Sequence, residues 1–444
     1  MPKPPLLGHL YAAAFGFNTD RRVKPVHFAT GFFLAVTGRS YRQEDLNFTV
    51  ALPARKQPEG NYALLNLREH LVESGRISDS MEPRELHLLR THLQAVADND
   101  DAVYPMFAKK AGFGSDYSAS SSILVGRSKD NDGFLGQFVK SVLERSVDGQ
   151  AILRFTENWL SSKDATMDEL LAPLLEDEAE DVDLSKIAEE KLGRVEPARL
   201  DRVSDINAAE TAAIRRLCEN CSDMPVEFRL RYLIIGLGCW VASYLRRSTL
   251  SEGASGMPLL ADMTGGGSLR MREQSRWSYT RFRESVIERF VRLAETDAFA
   301  DCQDAWEWVQ SELDGRPKVE EFFRELLIRN GLAQPRGGSV NSKHIELQPD
   351  TLAMLTLSVI GQDEGPVPLP EFFERMSADW GLCFGGRPKD ADELAAHGYF
   401  GLDEKTDLTA NVEATTELLI NLGLARKYSD GLVLCQTAYS AATS

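Results

Sequence analysis

The sequence predicts a mostly α-helical protein of several domains, with helical N-terminal and middle regions followed by small α+β modules. Three observations predict this class. Apolar residues recur at helical spacing along much of the chain. A nine-residue phrase, ELLIRNGLA at 325–333, returns as ELLINLGLA at 417–425 with seven positions identical. Six of the eight residues at 176–183 are Asp or Glu, and such a run of like charge predicts a break in the chain.

Length and composition limit the classes of protein to consider. The chain has 444 residues, enough for roughly two to four domains with substantial cores. It is 43% hydrophobic and 26% charged, which is typical of globular proteins. The net charge of −17 argues against a surface coated in phosphate-binding groups, although it leaves room for a local basic patch.

The longest apolar run, YLIIGLGCWVASYL at 232–245, is too short to cross a bilayer, which takes about 20 residues. It is flanked by arginines on both sides, and we predict a buried core helix. The first residues, MPKPP, lack the apolar segment of a signal peptide. The six cysteines do not form the framework of a small disulfide-rich protein. We therefore expect a cytoplasmic protein with no membrane partner.

The first predicted domain, 1–175, is mixed but mainly helical. Helices are expected at 65–74, where Gly75 is the stop, and at 83–96, where Pro83 occupies a permitted first-turn position. Residues 111–133 are rich in Gly, Ser and Asp and predict a long surface loop.

An antiparallel helix pair is expected at 134–145 and 150–160, separated by Asp148 and Gly149. The acidic run 176–183 is predicted to be a linker or a solvated helix end, and the alternative is a docking site for a basic partner. The middle domain, 184–316, should contain two or three helices in 206–247 and more at 270–296 and 304–313.

The final region, 317–444, carries the repeat. Each copy predicts the end of a helix, a glycine stop and a short strand, and after the second copy Asp430 and Gly431 predict the turn of a β-hairpin. A third echo, EFF at 321–323 and again at 371–373, is followed by Gly-Leu at the same distance. These echoes reflect either duplication or the few ways in which a helix can lead into a hairpin.

A helix that ends on Gly-Leu and leads into a hairpin resembles the closing half of a winged-helix domain. The resemblance covers roughly 120 residues, and such domains bind DNA or proteins. In the last unit, helix 411–422 has no basic residue and carries Glu413 and Glu417, so protein contact is expected there. DNA contact is expected from the first unit, whose basic residues are Lys318, Arg324, Arg329, Arg336 and Lys343.

A second candidate site is a glycine cluster between an apolar stretch and a helix. Its members are Thr264, Gly265, Gly266, Gly267 and Ser268. A glycine-rich turn that opens a helix exposes backbone N–H groups able to bind phosphate. The spacing matches neither the P-loop nor the dinucleotide-binding pattern, so a flexible loop is the alternative.

The helix that follows is basic and aromatic. It carries Arg270, Arg272, Arg276, Trp277, Tyr279, Arg281 and Arg283. Arginine interleaved with aromatic rings is typical of nucleic-acid contact and base stacking. The same pattern also describes an amphipathic helix whose aromatic face packs in the core.

No catalytic, metal or cofactor site is predicted. Cys218 and Cys221 have zinc-ligand spacing, but no second pair follows, so two core cysteines are expected. The histidines are scattered, and His87 and His92 lie too far apart to share a helix face. The acidic residues at 98–101 have the composition of a cation site, but a solvated helix end is the default.

The stretch 257–282 is similar to accessory proteins of bacterial anti-phage and DNA-modification operons. Together with the repeat and the basic-aromatic helix, it leads us to expect a non-catalytic subunit or adaptor of a bacterial DNA-directed complex. Other protein subunits would be its main partners, and DNA a second one. The alternatives are a winged-helix transcriptional regulator, or an enzyme that grips phosphate with 264–268.

Overall fold

A computed structural model describes residues 60–86, 135–160, 200–249, 256–294, 318–335 and 337–437, with short pieces between 14 and 41 and at 175–177. The described residues are mostly helical with small sheets, as predicted. The predicted loop 111–133, the predicted helix 304–313 and most of the predicted helix 83–96 lie outside them.

The N-terminal elements are β1 Arg39–Tyr41, α1 Gly60–Glu73, α2 Leu135–Leu143, α3 Val147–Leu160 and β2 Leu175–Asp177. Helix α1 ends where the sequence predicts. Gly75 follows it with φ of 69°, a left-handed backbone that favours glycine over residues with a Cβ.

The predicted break at Asp148 and Gly149 is wrong. Both residues lie inside the first turn of α3, and the connection from α2 is shorter. A Cβ on Gly149 would lie 2.1 Å from the carbonyl oxygen of Leu143, so glycine here permits the close approach of two helix ends. The carboxylate of Asp148 accepts a hydrogen bond from Nη1 of Arg215 at 2.8 Å, which fixes this corner to a third helix.

The first two residues of the acidic run do not belong to a linker. Glu176 and Asp177 lie in β2, which pairs antiparallel with β1 so that Arg39 opposes Asp177. The rest of the run, 178–183, lies outside the described residues.

The middle elements are α4 Leu200–Ile206, α5 Ala208–Asn220, α6 Val226–Ser248, β3 Leu259–Leu260 and α7 Leu269–Ala294. The apolar run lies in α6 and is buried, as predicted. Its Trp240 carbonyl accepts from Asn207 Nδ2 at 3.0 Å, and its indole N–H donates to Thr211 Oγ1 at 3.0 Å. Among the described helices, none has both the length and the apolar character needed to span a bilayer.

The C-terminal helices are α8 Lys318–Arg329, α9 Pro349–Val359, α10 Leu369–Trp380, α11 Asp390–Ala396 and α12 Thr409–Asn421. The strands are β4 Ala333–Gln334, β5 His344–Ile345, β6 Val367–Pro368, β7 Leu382–Cys383, β8 Ala425–Lys427 and β9 Val433–Cys435.

Both copies of the repeat fold as predicted. Helix α8 is followed by Gly331 at φ 70° and the antiparallel pair β4–β5. Helix α12 is followed by Gly423 at φ 74° and the antiparallel pair β8–β9. The glycine allows each helix to reverse direction within a few residues, because a left-handed residue terminates the helical hydrogen bonding.

The third echo behaves differently. Helix α10 does end at Gly381, whose φ is 65°, but β7 forms no hairpin. It pairs in parallel with β3, so that Leu259 opposes Leu382. Helices α8, α10 and α12 therefore end alike, but the strands that follow them have different partners. The partner of β7 is β3, which comes from a distant part of the chain.

Within this region, residues 349–435 contain a three-stranded antiparallel sheet in the order β6–β9–β8. Along the chain the elements run helix α9, strand β6, helix α10, helix α12 and hairpin β8–β9, with β7 and α11 inserted before α12. The sheet thus joins a strand between the first two helices to a hairpin after the last one.

One hydrophobic cluster joins described residues from every predicted domain. Phe15 and Phe138 belong to it together with Trp240 of α6 and with Phe322 and Leu355 from the C-terminal region. The hydroxyl of Tyr244 also donates to the carbonyl of Phe15 at 2.8 Å. The domain boundaries stay predictions, while the core of the described residues is continuous across them.

Candidate functional site

The predicted phosphate loop lies between β3 and α7 and begins next to a buried carboxylate. Asp262 accepts the N–H of Thr264 at 2.9 Å and its hydroxyl at 2.6 Å. Gly265 and Gly266 have φ of 62° and 94°, so the turn requires glycine. Ser268 caps α7, because its Oγ accepts the N–H of Met271 at 3.1 Å.

Carboxylates lie on both sides of this loop. The hydroxyl of Ser268 donates to Asp407 Oδ1 at 2.7 Å, which places a carboxylate at the helix start. Asp262 is fully buried on the other side of the loop. The carboxylate of Asp407 at the helix start disfavours phosphate, whereas the carboxylate of Asp262 is paired with Arg272. Phosphate binding by this loop therefore stays a prediction.

Asp262 belongs to a charged network that joins β3, α7 and β5. Arg272 Nε donates to Asp262 Oδ2 at 2.5 Å, and its Nη2 lies 3.3 Å from Glu346 Oε2. Nε2 of His344 lies 2.7 Å from the same oxygen of Glu346. The network therefore alternates acidic and basic groups from three elements that are distant in sequence.

The ligand atoms of Asp262, His344 and Glu346 lie within 4.8 Å of one another, close enough to share a metal ion. Two carboxylates and an imidazole are suitable ligands for zinc or manganese. However, the guanidinium of Arg272 already bonds to both carboxylates. Because it supplies the positive charge that these carboxylates need, the geometry fits an internal ion-pair network better than a metal centre.

Backbone contacts reinforce the same junction. The N–H of Asp262 donates to the carbonyl of Ile345 at 2.9 Å, and Oγ of Ser275 donates to that carbonyl at 2.7 Å. Strand β5 is thus held against both the loop and α7. The arrangement anchors the first hairpin to the middle region.

The basic-aromatic helix α7 turns its aromatic side inward. Tyr279 is fully buried, with its ring 5.7 Å from that of Phe323. Trp277 packs edge-on against Tyr399 at 4.7 Å between ring centroids. A buried ring offers no face to a base, so the predicted stacking role does not fit Tyr279. The amphipathic alternative describes these two residues better.

Few of the predicted arginines of α7 remain available to a nucleic acid. Arg272 is engaged in the charged network, and Arg283 is half-buried. Arg281 is exposed but pairs with Glu284 at 3.0 Å. Arg270 and Arg276 are exposed and carry no ion pair with the described residues. Helix α7 thus exposes fewer unpaired arginines than its sequence indicates.

Three of the five basic residues predicted for the first unit also have partners within the protein. Lys343 is 1% exposed and donates to the carbonyls of Pro335 and Gly337 at 2.6 and 2.7 Å. Its burial lowers the pKa of its ammonium group. Glu325 pairs with Arg324 at 3.3 Å and with Arg329 at 2.6 Å. Lys343 therefore braces the hairpin loop rather than facing a DNA backbone.

Two further members of that predicted set cannot be placed. The side chain of Lys318 and the whole of Arg336 lie outside the described residues. Their predicted role in binding DNA stays a prediction.

The last unit presents a different surface. Glu413 and Glu417 are exposed on α12, and the adjoining hairpin exposes Tyr428 at 47% and Leu432 at 45%. Arg426 and Lys427 are exposed on β8, next to Tyr428. We call Tyr428 and Leu432 the hairpin tip. They face each other across the turn, since Tyr428 N–H donates to the Leu432 carbonyl at 2.8 Å.

Sequence reasoning missed Asp262 and Glu346. Asp262 had a local signal, because a lone carboxylate directly after an apolar strand and before a glycine turn is well placed to cap that turn. Glu346 had none, because only the folded hairpin brings it to Arg272 and His344.

Comparisons of the chain with family models, curated proteins and solved structures found no match. The inference of function therefore depends on the residues of this chain.

Proposed function

We propose that this protein is a non-catalytic subunit or adaptor of a DNA-directed complex, and that residues 349–435 form a winged-helix-like module that binds another protein. The order of elements supports the module: helix, strand, helix, helix and hairpin, with β7 and α11 inserted before the last helix. The first strand joins the hairpin in one antiparallel sheet. The DNA-directed setting is an expectation from the sequence alone, based on the resemblance of 257–282 to accessory proteins of anti-phage operons.

The observation that carries the proposal is the chemistry of the module's surface. A helix that enters a DNA groove needs basic residues, but α12 has none and exposes Glu413 and Glu417. The hairpin tip exposes an aromatic and an aliphatic side chain beside Arg426. Tyrosine and arginine are enriched where proteins bind each other. The expected partner therefore offers an apolar recess bordered by carboxylates.

Site-specific photo-crosslinking tests this contact. A photoreactive residue replaces Tyr428 in the full chain in its native host, and a matched control replaces Phe228, which is 43% exposed on α6. We expect position 428 to give a discrete adduct with one protein, and Leu432→Asp to abolish it because the charge disrupts an apolar contact. If positions 428 and 228 give the same adducts, the hairpin tip is not the contact surface.

DNA contact is tested separately. The exposed Arg270 and Arg276 favour a weak, charge-driven interaction, which should decline steeply as the salt concentration rises. We expect the double variant Arg270→Glu/Arg276→Glu to lose this DNA binding. Fluorescence anisotropy with a labelled duplex measures the binding. No binding of the wild-type chain at low salt would remove DNA from the proposal and leave the protein contact standing.

A further inference from the structure

A small cavity lies in the middle of the core, where α6 and α7 meet α8, α9 and the parallel strands β3 and β7. The volume of this cavity is about 20 Å³, enough for roughly one or two water molecules. Its wall is largely apolar and includes Phe282, Leu327 and Leu382. An apolar cavity of this size needs no polar group.

Nevertheless, an arginine is among the residues that line this cavity. Arg246, in the last turn of α6, is 8% exposed and lines the wall. Its Nη1 donates to the carbonyl of Met257 at 3.1 Å, while its Nε has no acceptor. Among the described residues no carboxylate forms an ion pair with it. Arg246 is thus a buried cation without a counter-charge in direct contact.

Neighbouring groups supply negative charge only from a distance, chiefly through Glu210. Glu210 accepts from Ser243 Oγ at 2.5 Å and from Arg247 Nε at 2.6 Å, so its negative charge is shared with a different arginine. The indole N–H of Trp380, another wall residue, already donates to Ser358 Oγ at 2.9 Å. The pKa of Arg246 is lowered to about 10, mainly because the side chain is buried. The guanidinium therefore stays charged at neutral pH.

A buried charge is costly unless it is paired. We propose that the cavity binds a small monovalent anion, for which chloride is the probe, held by the guanidinium of Arg246. The size of the cavity favours a monatomic ion over sulfate, phosphate or a nucleotide. The apolar wall favours a weakly hydrated halide, since little water needs to be replaced. This site is independent of the proposed protein contact at the hairpin tip.

Thermal unfolding of the full chain tests the proposal. Chloride or bromide is titrated against gluconate at constant ionic strength, because gluconate is too large for the cavity. An ion that binds only the folded chain raises the Tm, by about 1–2 °C for each tenfold increase above its Kd in a chain of this length. A Tm that does not differ between halide and gluconate would overturn the proposal.

Variants then assign the effect to the cavity. Arg246→Met should unfold at a temperature independent of halide, and Arg246→Lys should keep a weaker dependence. Arg276→Met, which removes an exposed arginine, should respond as the wild type does. An unchanged halide response in Arg246→Met would show that the ion binds elsewhere.

Diffraction gives a readout that does not require the variant to fold. Wild-type crystals grown in bromide should show an anomalous peak beside the guanidinium of Arg246. A cavity without such a peak at saturating bromide would reject the site.

Discussion

The side chain of Asn411 accepts a hydrogen bond from the backbone N–H of Met263 at 2.7 Å. The same side chain donates to the carbonyls of Ala261 and Phe384, both at 2.9 Å. A single buried amide at the start of α12 thus satisfies three backbone groups from two segments. It fixes α12 against both strands of the parallel pair β3–β7.

The first prediction concerns this residue. Asn411→Leu should lower the free energy of unfolding by about 3–5 kcal/mol, because it leaves three buried backbone groups without partners. Asn421→Leu, at the exposed end of the same helix, is the control and should change stability by less than about 0.5 kcal/mol. Urea denaturation measures both, and equal losses would show that the hydrogen bonds of Asn411 are not what stabilises the junction.

The second prediction uses the two repeat copies as a matched pair. Gly331 and Gly423 both have a positive φ, so alanine strains each by about 1 kcal/mol. At Gly331 a Cβ would also lie 2.4 Å from Thr351 Oγ1, whereas at Gly423 it would meet open space. Gly331→Ala should therefore destabilise the protein by about 1–3 kcal/mol more than Gly423→Ala. Similar losses in chemical denaturation would mean that the crowding at Gly331 relaxes freely.

The third prediction concerns the charged network. Arg272→Met leaves Asp262 buried without its cation and should cost about 3 kcal/mol or more in unfolding free energy. Arg276→Met, four residues further along the same helix, removes an exposed arginine and should be nearly neutral. Adding Asp262→Asn to Arg272→Met should recover part of the loss, because the unpaired charge disappears. No recovery in this double variant would argue against charge pairing as the cause.

The fourth prediction is a pH dependence. The side-chain hydrogen bond from Arg375 lowers the pKa of Glu364 from 4.5 to about 2. A carboxyl whose pKa is lower in the folded state stabilises the fold above its unfolded pKa, and that contribution disappears as the pH falls through the folded value. The stability difference between wild type and Glu364→Gln should therefore be constant near neutral pH and shrink between pH 4.5 and 2.

Solvent screens the pair of Glu364 with Arg375, which limits the stability difference between wild type and Glu364→Gln. Glu364 is 39% exposed, so we expect less than about 1 kcal/mol at neutral pH. The control is the same Glu364→Gln change in an Arg375→Met background, which lacks the main hydrogen-bond donor and should show a smaller window. A Glu364→Gln difference that does not change with pH would show that the pair with Arg375 contributes nothing.

The parts of the fold that were predictable are those set by local chemistry. Gly331 and Gly423 reveal the helix ends, because few residues adopt a left-handed backbone easily. The burial of Trp240 follows from an apolar run too short for a membrane. The strand after Gly381 was not predictable in the same way, since its partner, Leu259, lies more than a hundred positions earlier.

In the candidate sites, too, local sequence patterns predicted some features, and others depended on contacts that the patterns do not reveal. A basic-aromatic composition describes both a nucleic-acid surface and a packed helix, and only the neighbour of Tyr279, Phe323, distinguishes them. Lys343 looked like a phosphate ligand because its sequence surroundings are basic and glycine-rich. Its burial depends on how the loop carbonyls of Pro335 and Gly337 fold back onto it, which no local pattern encodes.

The parallel pairing of β3 with β7 has a practical consequence for dissecting this protein. A fragment starting at residue 317 would lack the strand Leu259–Leu260 that lies beside Leu382–Cys383, and Asn411 would lose the two backbone groups that Ala261 and Met263 supply. We therefore expect that residues 317–444 do not fold as an independent fragment. An excised piece that keeps its native architecture has to begin upstream of residue 257, so that the earlier strand travels with it.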